Sequence, residues 1–121
     1  MALSFGRRQW LYAIVGYTAV LLAATHWPSE HMPKLALGWG DKLEHITAYG
    51  LWAWLAQRRR GVDWRWIAAG LVLGALDELT QPYFNRNGDW YDWWADAAGV
   101  GLGTLLSWWA WRRSVWSVKG D

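Results

Sequence analysis

Four apolar runs separated by short polar turns constrain this chain more than any other feature. They are Trp10–Trp27, Ile46–Gln57, Trp64–Gln81 and Trp93–Trp111. The first carries no charge if His26 is neutral, and eighteen residues of helix reach about 27 Å, one hydrocarbon thickness. The second is short unless the preceding Asp41–His45 belongs to the same helix. Pro28, Pro33 and Pro82 stand where helices should stop or start. The expected fold is therefore all-α: a single domain over 1–121, with helices at approximately 9–27, 41–58, 64–81 and 92–112.

Mean hydropathy is near zero, at −0.07. That figure understates a chain with 14 Trp, because Trp buries its ring and keeps its N–H wet. With no Cys there is no disulfide framework and no thiolate metal site. Lys and Arg are unevenly placed. Nine (Arg7, Arg8, Arg58, Arg59, Arg60, Arg65, Arg112, Arg113 and Lys119) fall on one side of the alternating runs, and Lys34, Lys42 and Arg86 on the other. By the positive-inside rule this predicts a four-helix transmembrane bundle with both termini cytoplasmic. The expected location is a bacterial inner membrane, multi-pass, and the basic balance then calls for no nucleic-acid partner. A cleaved signal peptide over the first run and a soluble Trp-rich helical bundle are the alternatives.

The acids divide sharply in this arrangement. Glu30, Asp41, Glu44, Asp77, Glu78, Asp89, Asp92 and Asp96 gather at one end, the extracytoplasmic one in the expected topology. Helical spacing puts Asp41, His45, Tyr49 and Ala53 on one stripe, and Gly70, Gly74, Asp77/Glu78 and Gln81 on another. Asp92, Asp96, Gly99 and Gly103 make a third. Each stripe is polar at one end, and the last two turn to small residues deeper in, where Gly lets helix backbones approach. A bundle tight at one end and open at the other into an acidic cup follows.

Asp92 and Asp96 are one turn apart and repel unless a cation lies between them. His45 beside a carboxylate is suited to proton transfer near neutral pH, and Arg86 can hold a phosphate or carboxylate bidentately. We expect His45, Glu78 and Asp92 as catalytic residues, and Arg86, Gln81, Asp41, Lys42 and Asp96 as substrate-binding residues. No residue is assigned outright as a metal ligand, although a divalent ion on His45, Glu78, Asp92 and Asp96 is chemically reasonable.

These residues also carry a family resemblance. Asp41-Lys42-Leu43-Glu44-His45 with Tyr49, then Asp77-Glu78-Leu79-Thr80-Gln81, then Arg86, then Asp92, Asp96, Gly99 and Gly103 resemble the ordered motifs of the VanZ-like family of small bacterial membrane proteins. The likeness covers roughly residues 41–103. Asp96 stands where that family often has Asn, which adds a negative charge. The resemblance implies a cell-envelope protein linked to resistance to the glycopeptide antibiotic teicoplanin. The function expected is action on a membrane lipid or a lipid-linked, phosphate-bearing envelope intermediate. The alternatives are a non-catalytic membrane module that binds lipid, antibiotic or a protein partner, and an ion pathway. The ion pathway is disfavoured because the other halves of the helices lack charge.

Overall fold

The computed structural model describes residues 6–28, 40–59, 61–86 and 88–118. These form α1 (Arg7–Thr25), α2 (Gly40–Gln57), α3 (Trp64–Thr80), a short 3-10 helix (Gln81–Phe84) and α4 (Trp90–Val118). The all-α expectation holds, with helix limits close to those read from the sequence. The exception is α4, which continues past 112 to Val118. Glu30, Pro33, Lys34, Arg60, Lys119 and both chain ends lie outside the described residues, so the expected placement of the termini does too.

Local chemistry sets the boundaries. The Asp63 carboxylate accepts from the Arg65 backbone N–H at 3.0 Å and caps α3. Pro82 ends the α-helical ladder and starts the 3-10 turn, which closes on Asn85 in the left-handed region at φ 57°. Asp89 then accepts from the Tyr91 N–H at 2.9 Å, opening α4.

The core is built from Ile14, Leu21, Tyr49, Trp52, Ala53, Ala56 and Val100. Polar tips tie α1 to α2: Tyr17 Oη donates to the Ala48 carbonyl (2.6 Å), Trp10 Nε1 to the Leu55 carbonyl (2.8 Å) and Trp52 Nε1 to Thr18 Oγ1 (2.9 Å). The closest helix approach is between α2 and α4. A Cβ added at Gly99 would stand 2.5 Å from the Ile46 carbonyl oxygen, and one at Gly103 would overlap the Gly50 carbonyl. The small-residue stripe of α4 thus does what its spacing predicts, and Gly50 is its partner on α2.

The transmembrane expectation is overturned: among the described residues, no helix is long and apolar enough to cross a membrane. The physical reason lies in where charge and polarity enter the helices. α2 spends its first turns on Asp41, Lys42, Glu44 and His45, and the 17-residue α3 includes Arg65, Asp77 and Glu78. A spanning helix needs about 20 predominantly apolar residues. The multi-pass inner-membrane location, the inside–outside assignment of the loops and the extracytoplasmic orientation of the cup fall with it. The sequence invited that reading because large apolar side chains do lie on outer faces, among them Tyr12, Val15, Val20, Val72, Leu76 and Leu105.

Candidate functional site

The acidic ends of α2, α3 and α4 converge on one imidazole. His45, on α2, is 5% exposed. Its Nδ1 lies 2.6 Å from Asp96 Oδ1 and 3.8 Å from Glu78 Oε1. On the other edge, Nε2 lies 3.7 Å from Asp92 Oδ2 and 3.9 Å from Asp41 Oδ1. Four carboxylates from three helices therefore surround a single ring. Gly74 makes room for one of them, since a Cβ there would stand 3.1 Å from Asp96 Oδ2.

Lys42 closes the outer edge. Its ammonium donates to Asp92 Oδ1 and lies 3.5 Å from Asp89 Oδ2 and 3.8 Å from Asp41 Oδ2. Glu78 is fixed by its Oε2, which accepts from the Asp89 N–H at 2.9 Å. Its Oε1, like Asp96 Oδ2, is buried with no hydrogen-bond partner. Two buried carboxylate oxygens without donors are costly unless protonated or bound to a cation.

Burial and charge act together on the ionisation of this set. Burial alone would lower the His45 pKa, but the hydrogen bond to Asp96 and the charges of Asp96, Asp92 and Asp41 push it up to about 9. Burial raises the Glu78 carboxyl to about 7, against the pull of the Asp89 N–H and of His45. Asp96 rises to about 6, again chiefly by burial and against its hydrogen bond to His45. Burial also raises Asp92, opposed by Lys42.

The structure thus brings together His45, Glu78, Asp92, Asp96, Asp41 and Lys42 as the spacing predicts. Arg86 stands slightly apart, donating to the Trp27 carbonyl at 3.5 Å. It lines a small cavity of about 110 Å³ that reaches Asp41, His45 and Tyr49. Gln81 is buried at the end of α3 with its Nε2 unpartnered.

Asp77 belongs to a second, adjoining group. It accepts from Tyr49 Oη (2.9 Å) and Thr25 Oγ1 (2.6 Å), with His26 Nδ1 at 3.3 Å. His26 also reaches Thr80 Oγ1 at 2.7 Å. Burial and the neighbouring Asp77 hold the Tyr49 hydroxyl protonated, far above the usual phenol range. Sequence reading gave α1 no part in the polar end. The signal available for it was the Thr25-His26 pair, the sole polar pair closing the first apolar run.

Two triads, His45–Glu78–Asp96 and Asp41–His45–Asp92, each present their ligand atoms within 4.8 Å of one another. The first is entirely buried and includes the two carboxylates with unpartnered oxygens, Glu78 and Asp96. These groups could hold a metal ion. Their single nitrogen and several carboxylate oxygens suit a hard or borderline divalent cation such as Mn²⁺, Mg²⁺ or Zn²⁺. Comparison with known protein families, curated proteins and solved structures finds no match to this chain.

Proposed function

We propose that the His45–Glu78–Asp96 triad, with Asp92 beside it, binds a divalent metal ion and forms the centre of a metal-assisted site for a phosphate-bearing substrate. The observation that carries this reading is the pair of buried, donor-less oxygens, Glu78 Oε1 and Asp96 Oδ2. In the deprotonated state that ligation requires, Asp41, Glu78, Asp92 and Asp96 count −4 and Lys42 +1, which leaves −3 beside a neutral His45. A dication offsets most of that charge. A bound ion supplies Lewis-acid polarisation of a phosphoryl oxygen. The chain's own residues divide the remaining work. Arg86, on the cavity that leads to His45, holds a substrate anion; Lys42 keeps Asp92 ionised and oriented; Asp89 N–H fixes the Glu78 carboxylate. The ordered motifs that resemble those of the VanZ-like family include the same residues, and on that resemblance alone we place this chemistry in resistance to teicoplanin.

The test is direct. Mn²⁺ should raise the melting temperature of the full chain and bind with one-site stoichiometry in calorimetry. Glu78→Gln and Asp96→Asn should abolish both effects, whereas Asp77→Asn should leave binding intact. Equal Mn²⁺ responses in the parent, Glu78→Gln and Asp96→Asn would refute the site.

One observation favours a second reading. The 2.6 Å His45–Asp96 contact and the raised His45 pKa describe a protonated imidazole clamped by carboxylates. In that case the cluster is the structural centre of a non-catalytic binding module. Stability in chelator would then equal stability in Mn²⁺ at every pH.

A further inference from the structure

The opposite end of the bundle holds a second cavity, larger than the one at His45. Its volume is about 410 Å³, within the range of small-molecule pockets. Arg7 from α1, Arg59 from the α2–α3 turn and Arg65 from α3 line it, with Trp10 and Trp66. Among the described residues none of these three guanidinium groups pairs with a carboxylate. The single acid in the lining, Asp63, already accepts from the Arg65 backbone N–H.

The walls are fixed before any ligand arrives. Gln57, 2% exposed, clasps the turn from both ends of its amide: Nε2 donates to the Asp63 carbonyl (2.9 Å), and Oε1 accepts from the Asp63 N–H (2.8 Å). Gly61, at φ 75°, lets the chain reverse there. Trp10 is locked by its bond to Leu55 and meets Trp66 edge-on, with ring centroids 5.4 Å apart. The Arg59 guanidinium lies 5.7 Å from the Trp10 ring centroid. Arg112 and Arg113, by contrast, stack on Trp108 and Trp109, neighbours on their own helix, and line no part of this cavity.

We propose that this cavity binds a small phosphate monoester bearing an aromatic group. Three Arg against one Asp leave a charge of +2, which matches a phosphate dianion. Guanidinium groups are the side chains best shaped for bidentate phosphate recognition. The indole walls supply apolar area for the group esterified to it. This proposal is independent of the metal site, because the two share no residue. It also gives a common role to Arg7, Arg59 and Arg65, three of the nine basic residues that no longer have a topological explanation.

Phenyl phosphate, inorganic phosphate and phenol, titrated into the full chain by calorimetry, separate the two halves of the ligand. Phenyl phosphate should bind, inorganic phosphate should bind about tenfold more weakly, and phenol should not bind measurably. Arg59→Gln and Arg65→Gln should each weaken phenyl phosphate about tenfold, and Arg113→Gln should leave it unchanged. Both altered arginines are exposed, so folding should survive; circular dichroism checks that, and Arg7→Gln provides a third variant. Phenol binding as well as phenyl phosphate, or binding indifferent to all three Arg variants, overturns the proposal. A single-stranded oligonucleotide that binds while phenyl phosphate does not would overturn it too, marking a nucleic-acid surface instead.

Discussion

Replacing Glu78 by Gln should stabilise the metal-free protein at alkaline pH and destabilise it, relative to the parent, when metal is present. Glu78 titrates near 7 in the fold against an ordinary 4.5. Because the folded pKa is the higher one, the fold binds the proton more tightly than the unfolded chain does. The contribution is fully present below about pH 4.5 and is lost as pH rises through 7. At 1.36 kcal/mol per pKa unit, the displacement amounts to about 3 kcal/mol. His45 acts in the same direction over a higher window, since its pKa is raised from 6.5 to about 9 and its stabilisation fades across that interval.

In chelator the parent should therefore weaken steadily from pH 5 to 9. Glu78→Gln keeps an oxygen for the Asp89 N–H and cannot ionise, so between pH 5 and 7 it should lose the Glu78 part of the slope and keep the smaller fall that Asp96 gives as pH rises through about 6. Above pH 7 it should exceed the parent by about 3 kcal/mol. Metal reverses the order, because ligands bind deprotonated and affinity rises with pH. At a concentration one hundred times Kd, Mn²⁺ should stabilise the parent by about 2.7 kcal/mol and the variant by nothing. Urea denaturation followed by circular dichroism at pH 5, 6, 7 and 8, in chelator and in Mn²⁺, reads all of this. A parent equally stable at pH 5 and pH 8 in chelator would refute the reasoning, as would a Gln variant with the parent's pH slope.

Three further outcomes are expected. Tyr49→Phe removes one donor from buried Asp77, which should cost about 1–3 kcal/mol in denaturation midpoint analysis while leaving Mn²⁺ affinity unchanged. Gly103→Ala places a methyl against the Gly50 carbonyl and should cost about 3 kcal/mol or prevent the native melting transition, whereas Gly101→Ala, whose Cβ meets nothing, should raise helix stability slightly. In heteronuclear NMR the His45 imidazole should stay protonated at pH 8 in chelator and lose its proton when Zn²⁺ is added; a ring already neutral at pH 8 in chelator would contradict the four-carboxylate environment.

The family of helices and the polar end of the bundle were legible in the sequence because both follow from period. Residues three and four apart share a helix face, so Asp41–His45–Tyr49 and Asp92–Asp96–Gly99 had to form stripes once the helices formed. Pro82 and the Asp63 cap likewise act within a few residues of themselves. Orientation across a membrane was a different kind of inference. It rested on charge counts in the turns and on treating Trp-rich runs as apolar throughout, and the helices do not have the length and apolarity it required.

What the sequence alone determined is the all-α architecture and the identity of the residues at the acidic end, because helical periodicity and helix-stop chemistry are local. Only the tertiary structure decided that His45 faces Glu78 and Asp96 on one edge and Asp92 and Asp41 on the other, and that Asp77 turns away to Tyr49 and Thr25. It also decided which arginines meet around Trp10 and Trp66. The hydrogen bonds at the acidic end join residues as far apart as Thr25 and Asp77, 52 positions, and all of these meetings depend on how closely glycine-lined helices pack, which no single stretch of the chain encodes.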